Sequence, residues 1–206
     1  MRVKSIIISL LIPFLFLSCE KSDLKYESEF KDSYDVFQKF KANSNNSYFY
    51  IVTGNSYFGY SWETKLTIKS GKVVKREFYF TAFESVQLPA NGWTSNELDE
   101  ILKKKGKEFE EQLKKEGITL LEFLQWTENE NNLGKLGSKV GYASQIRTLD
   151  EIYKLAETDW IIKRKNAVLY FETKNNGMIS LAGYVEGNCQ DGCFNGVNIK
   201  SIQAIR

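Results

Sequence analysis

The chain has 206 residues, 42% of them apolar and 26% charged, enough for one packed domain or two small ones. Its formal charge is +2; Arg2 and Lys4 near the N-terminus account for that surplus, so the remainder is neutral and lacks the electrostatic footprint of a nucleic-acid binder. It contains no histidine, which excludes Ser-His-Asp and Cys-His catalysis and every histidine-containing metal site.

Arg2 and Lys4 precede twelve mostly apolar residues, Ile6 to Leu17, interrupted only by Ser9 and Pro13. As a helix this run covers about 18 Å at ~1.5 Å per residue, short of the ~30 Å hydrocarbon core of a bilayer, and it suits the apolar region of an export signal. It ends in Phe16-Leu17-Ser18-Cys19, followed at once by the polar Glu20-Lys21-Ser22-Asp23. A small residue and then Cys at this boundary resembles the lipobox of bacterial lipoproteins, with Phe16 where that family prefers Leu. The resemblance implies a signal peptide over 1–18, diacylglyceryl and palmitate-type acyl chains on Cys19, and a cell-envelope location on the periplasmic or surface face of a membrane. Two or three acyl chains are what a stable anchor requires. An ordinary cleaved leader with an incidental Cys19, and an uncleaved anchor, are the alternatives. Glu20 to Asp32 is polar without periodicity, so residues 19–32 are expected to form a lipidated tether and 33–206 a single domain.

Within that domain the spacing of Tyr34, Phe37 and Phe40 predicts a helix over Ser33 to Ala42, closed by Asn43-Ser44-Asn45-Asn46. Strands follow at Tyr48 to Thr53, Tyr60 to Lys69 and Val73 to Thr81. The second alternates cleanly, with Trp62, Thr64, Leu66 and Ile68 on one side and Glu63, Lys65, Thr67 and Lys69 on the other. Thr94 with Glu97 has capping-box spacing and opens a charged helix over about 96–116, with Leu98, Ile101, Leu102, Phe109 and Leu113 as a thin apolar stripe that Gly117 ends. Thr119 with Glu122 opens another helix carrying Leu120, Leu121, Phe123, Leu124 and Trp126, and the Gly-rich stretch Asn129 to Gly141 reads as a loop. Thr148 with Glu151 starts the clearest helix, whose Leu149, Ile152, Tyr153, Ala156 and Trp160 share a face. Strands Ala167 to Thr173 and Met178 to Val185 flank the hairpin signal Asn176-Gly177. In the last strand, Val197 to Ile205, the apolar alternation skips a step, which predicts a bulge near Lys200. The fold class is therefore α+β: antiparallel sheet or sheets from two helix–three-strand units, with a helical insert (about 84–147) packed on one face.

The hairpin Lys65 to Lys75, the segment Thr148-Leu149-Asp150-Glu151-Ile152-Tyr153 and Asn176-Gly177 before the last strands resemble a family of bacterial lipoprotein domains. That family brings no catalytic residues to carry over, and the chain departs from it by its long insert.

Three groups of residues are candidates for chemistry. Cys189 and Cys193 flank a polar turn and fit a disulfide in an oxidising compartment; a redox pair, half a metal site or free thiols are the alternatives. Glu186, Asn188, Asp191 and Asn195 offer oxygen ligands around them, although calcium-loop spacing is missing and turn-forming roles account for them. Tyr57, Phe58, Tyr60 and Trp62 form a candidate ligand platform for a protein or glycan, against the competing reading of core packing. No phosphate loop, dinucleotide fingerprint or nucleophile elbow is present, so no cofactor, no metal and no catalytic residue is assigned. The expected function is a non-catalytic binding module anchored to the envelope membrane. A carboxylate-dependent glycan enzyme is the alternative, and a structural or inhibitor-like role through the tip 187–196 is a third.

Overall fold

The computed structural model describes residues 23–137, 141–189 and 193–205. The leader 1–18 and Cys19 lie outside the described residues, as does Asp191. Helix α1 (Glu27–Asn43) begins well before the expected Ser33. Phe30, Ser33 and Phe37 face inward at helical spacing, Glu27 and Glu29 sit in the first turn, and Lys41 in the last, each matching the helix dipole. The polar residues 27–32 that read as tether are the start of this helix. The chain is pinned even earlier, because Leu24 bridges Ile162 and Lys163 N–H donates to Asp23 O (2.8 Å). Asn45 and Asn46 adopt positive φ and end the helix.

Strands β1 (Tyr48–Asn55), β2 (Ser61–Lys69) and β3 (Lys72–Phe83) form one antiparallel meander. The short β4 (Val86–Gln87) pairs with the end of β3. The insert follows as α2 (Ser95–Lys105), α3 (Lys107–Glu116) and α4 (Leu120–Leu124). The single charged helix expected here is broken at Gly106, which takes φ +82. The next expected helix also stops early: from Gln125 the pattern changes to period two, and β5 (Gln125–Asn129) turns Trp126 and Glu128 inward against β3. Helix α5 (Leu149–Leu155) carries the predicted capping box and widens into a π-turn, Ala156–Trp160. A second meander closes the chain with β6 (Ala167–Glu172), β7 (Leu181–Glu186) and β8 (Asn195–Ala204).

Among the described residues the strands make an eight-stranded sheet, ordered β4-β3-β2-β1-β8-β7-β6, with β5 also lying along β3. The two helix–three-strand units meet at β1 and β8. There β1 pairs Val52 with Ile199 and Ile51 with Ser201, so Lys200 is the extra residue of the expected bulge. The bulge lets both Ile199 and Ile202 face the core, which strict alternation would forbid.

The helices of the described residues cover one face. Phe37, Tyr48, Tyr50, Leu66, Ile68, Ile152, Tyr153 and Ile202 belong to a core under α1 and α5. The Tyr153 ring stacks on Phe37 at 4.7 Å, and its hydroxyl lies 2.8 Å from Ser33 Oγ and accepts from Ile179 N–H (3.2 Å). Phe78, Phe80, Phe83, Ile101, Leu124 and Trp126 form a second core under the insert. Leu66 and Ile68 serve the first core while Trp62, on the same side of β2, packs on the second, so the two cores lie side by side.

A buried polar seam holds the described parts of the connection from β5 to α5, 130–137 and 141–147, on this face. Glu128, fully buried, accepts from Arg76 Nε (2.9 Å), from a second Arg76 nitrogen (2.8 Å) and from the backbone N–H groups of Gly134, Leu136 and Gly137 (2.9, 2.6 and 2.9 Å). Arg76 also donates to Ser144 O (3.0 Å), and Ser144 N–H donates to Thr64 Oγ1 (3.0 Å). The loop's backbone donors, which would otherwise be buried unpaired, converge on one carboxylate.

Candidate functional site

Antiparallel pairing puts the β1–β2, β3–β4 and β7–β8 turns and the start of β6 at one end of their strands. This end carries the expected site residues. At the β1–β2 tip, Tyr57 and Phe58 are 89% and 70% exposed, with rings edge to face at 6.2 Å. The tip is braced from below. Ser56 N–H donates to Tyr60 O (2.9 Å), Ser85 N–H to Gly59 O (3.4 Å), and the Ser61 and Thr81 hydroxyls pair at 2.7 Å. Gly59 takes φ +79, and a Cβ there would come within 2.9 Å of Ser85 Oγ.

The four-ring platform is divided by the structure. Tyr60 stacks on Phe83 at 4.6 Å, and Trp62 meets Tyr142 edge-on at 5.2 Å. Trp62 in β2 and Tyr60 just before it both turn inward, and the insert then covers that face. Only Tyr57 and Phe58, on the turn where alternation ends, project outward.

Under the tip, Tyr60 donates to Glu84 Oε1 (2.8 Å), Lys105 Nζ pairs with the same carboxylate at 3.0 Å, and Lys104 Nζ donates to Glu84 O (3.1 Å). Burial pushes the Tyr60 hydroxyl up, and its bond to Glu84 adds to that. Burial also opposes the charges of Glu84 and Lys105, yet their mutual pairing and the Tyr60 contact outweigh it, leaving the carboxyl lowered and the amine raised. Near neutral pH this cluster is an ionic strut, with Glu84 ionised, Lys105 protonated and Tyr60 neutral.

At the β7–β8 tip Cys189 and Cys193 are joined as a disulfide, Cα atoms 6.1 Å apart, within the usual span. Cys189 N–H donates to Glu186 O (3.1 Å) and Asn195 Nδ2 to Cys193 O (3.2 Å), so Glu186 and Asn195 act here as turn formers. Beside the tip, Phe194 lies over Gly183 and Gly196: a Cβ on either glycine would come within 2.5 and 2.8 Å of its ring. Tyr170 meets Phe194 edge-on at 6.2 Å. Sequence reading missed this pair, although glycines inside strand patterns are the mark of such a close approach.

A cleft of about 640 Å³ opens on the helical side of this end, lined by Arg164, Asn166, Ala167, Glu186, Gly187 and Asn188. Arg164 lies over the Tyr184 ring at 3.9 Å, donates to Asp159 O (2.7 Å) and pairs with the Asp159 carboxylate. A second cleft of about 360 Å³ lies along the bare sheet face near Lys200, with Glu172 as its carboxylate. The carboxylate lining the first cleft is Glu186, and the one lining the second is Glu172. On the same bare face Glu63 accepts from Tyr79 (2.6 Å) and from the bulged Lys200 (2.7 Å). Burial and the neighbouring carboxylates push the Tyr79 hydroxyl up.

Among the described residues no group of three or more His, Cys, Asp or Glu side chains is placed to hold a metal ion, and no helix is long and apolar enough to cross a membrane. No family model, curated protein or solved structure matches the chain.

Proposed function

We propose that this chain is an extracytoplasmic lipoprotein, held to a bacterial envelope membrane through lipid on Cys19, whose folded part is a non-catalytic module that binds a protein or glycan. The observation that carries the anchor is the position of Cys19, after Ser18 and at the step from apolar leader to polar chain. The binding reading draws on the tip: Tyr57 and Phe58 lie outside both cores yet are held on a braced turn. Rigid exposed aromatics at a protruding site are the usual anchors of recognition.

Intact-mass analysis of the chain from the membrane fraction tests the anchor. The expected species begins at Cys19 and carries diacylglyceryl and acyl mass, and Cys19→Ser moves the protein out of that fraction. A native product that retains Met1, or an unmodified sulfur at position 19, overturns the proposal.

A further inference from the structure

The cleft on the helical side of the β7–β8 end has two polar walls. Arg164 and Asn166, on the lead-in to β6, form one; Glu186, at the end of β7, and Asn188 just beyond it form the other. The walls are clamped together, because Ala167 lies opposite Glu186 in the sheet and Gly187 N–H donates to Asn166 O (2.6 Å). The turn beyond Glu186 is closed by Cys189 N–H on Glu186 O (3.1 Å) and tied by the Cys189–Cys193 disulfide.

Arg164 is fixed as well. Its guanidinium lies over the Tyr184 ring at 3.9 Å and uses Nη2 for both the backbone oxygen and the carboxylate of Asp159. Its charge is thus answered by Asp159, while Nη1 has no partner among the described residues. The side chains of Asn166, Glu186 and Asn188 likewise make no hydrogen bond or ion pair with a described residue. Four polar side chains therefore line one cleft with bonding capacity to spare, on backbone that is already tied down.

The volume, about 640 Å³, falls within the ~300–1,000 Å³ of small-molecule sites, but those are lined mostly by apolar side chains. A polar lining selects by hydrogen bonding. A free anion would meet the unpaired Glu186, with the charge of Arg164 already spent on Asp159. A free cation would meet Arg164. A neutral ligand that donates and accepts at several adjacent points escapes both penalties. Neighbouring hydroxyls can donate to the two Glu186 oxygens and accept from Arg164 Nη1, and the Asn166 and Asn188 amides both give and take hydrogen bonds.

We infer that this cleft is a saccharide site, which takes a neutral sugar unit through its hydroxyls. Glu186 is the acceptor, Arg164 the donor, and Asn166 and Asn188 serve as both. The fixed walls limit the ordering cost of binding. The site is independent of the Cys19 anchor and of the Tyr57–Phe58 tip, which lies on the other meander.

Saturation-transfer NMR on the full chain, in buffer free of glycerol and other polyols, tests this. The probes are glucose, galactose, mannose, xylose and N-acetylglucosamine at millimolar concentration, with glucuronate as the charged counterpart of glucose. At least one neutral sugar is expected to receive saturation, and more of it than glucuronate. Glu186→Ala with Asn188→Ala should weaken its binding about tenfold or more by titration, at a urea midpoint matching wild type. Asn166→Ala, on the other wall, should weaken it independently, while Tyr57→Ser with Phe58→Ser leaves it unchanged. No saturation in any neutral sugar, stronger saturation in glucuronate, or binding that survives the substitutions on both walls overturns the inference. A signal lost with the Tyr57–Phe58 variant instead places the sugar at the tip, which overturns this site and leaves the binding function standing.

Discussion

Glu128→Gln is the sharpest probe of the fold. The substitution keeps shape and removes charge. In the native protein the carboxylate receives five N–H bonds, two from Arg76 and three from the backbone of the 134–137 segment. A carboxamide retains one acceptor oxygen and turns two donors toward groups that are already donors. It also leaves the Arg76 guanidinium, whose side chain is only 6% exposed, without its counter-charge. Removing one partner of a buried pair costs roughly 3–5 kcal/mol, a large part of the ~5–15 kcal/mol that holds a domain together. With a urea m-value of about 2 kcal/mol/M, the midpoint should fall by about 1.5–2.5 M at unchanged m. Arg76→Met with Glu128→Leu, which removes both charges, should recover much of that loss, since buried pairs are often replaceable by apolar residues. The pH dependence provides a second readout. Burial pushes the Glu128 carboxyl up, but the three backbone donors and Arg76 outweigh it, and it lies below its ordinary 4.5. A carboxyl depressed on folding adds stability above its unfolded value and loses it as pH falls through the folded value. Wild type should therefore weaken as pH falls below about 4.5, and Glu128→Gln should have a shallower acid limb. A midpoint within error of wild type, or an identical acid limb, would refute the assignment of the seam as the element that fixes the 134–137 segment.

Gly183→Ala places a Cβ where the Phe194 ring and Asn195 O now lie; it should cost about 1–3 kcal/mol by thermal or urea unfolding and release the ring, read as increased Phe194 side-chain mobility by NMR. Tyr57→Ser with Phe58→Ser should leave the unfolding midpoint within about 0.5 kcal/mol of wild type, as for exposed positions outside a core, while abolishing capture of the binding partner by immobilised protein; undiminished capture would remove the tip from the site. Cys189→Ser with Cys193→Ser opens a very small loop and should cost about 2 kcal/mol on the chain-entropy estimate; equal partner recovery by this variant counts against the inhibitor-like reading of the 187–196 tip.

The parts of the fold written in local chemistry are legible in the sequence. Thr148 with Glu151, Thr119 with Glu122 and Thr94 with Glu97 each cap a helix as their spacing predicts, because a capping box involves only neighbours along the chain. The same holds for the alternation of β2 and the skipped step at Lys200. What was not legible depends on partners distant in sequence. Apart from Phe30, residues 27–32 are polar because they form the outer side of α1, and the helical state of the stretch depends on Phe30 reaching Tyr153 (6.0 Å). Trp126 suits a helix stripe as well as a strand, and it is the open edge of β3 that decides for the strand. Glu128 reads as one more acid in a charged stretch; its role follows from Arg76, which lies opposite it in the sheet.

The candidate site shows the same division. A run of aromatics at 57–62 announces a cluster but not which rings remain outside, because that depends on where strand alternation begins. It begins at Tyr60 and Trp62, whose rings enter the core beneath the insert. Tyr57 and Phe58 fall on the turn, where no described residue covers them. Their exposure adds no core area, so the contribution of these rings has to be sought outside the domain. The braces beneath them make the same point from the other side. Glu84 and Ser85 both take positive φ, an uncommon conformation for residues with a Cβ, and in it Ser85 holds Gly59 while Glu84 holds Tyr60 and Lys105. Strained backbone maintained beneath two exposed rings fits a turn fixed in shape before anything binds to it, which lowers the ordering cost of recognition.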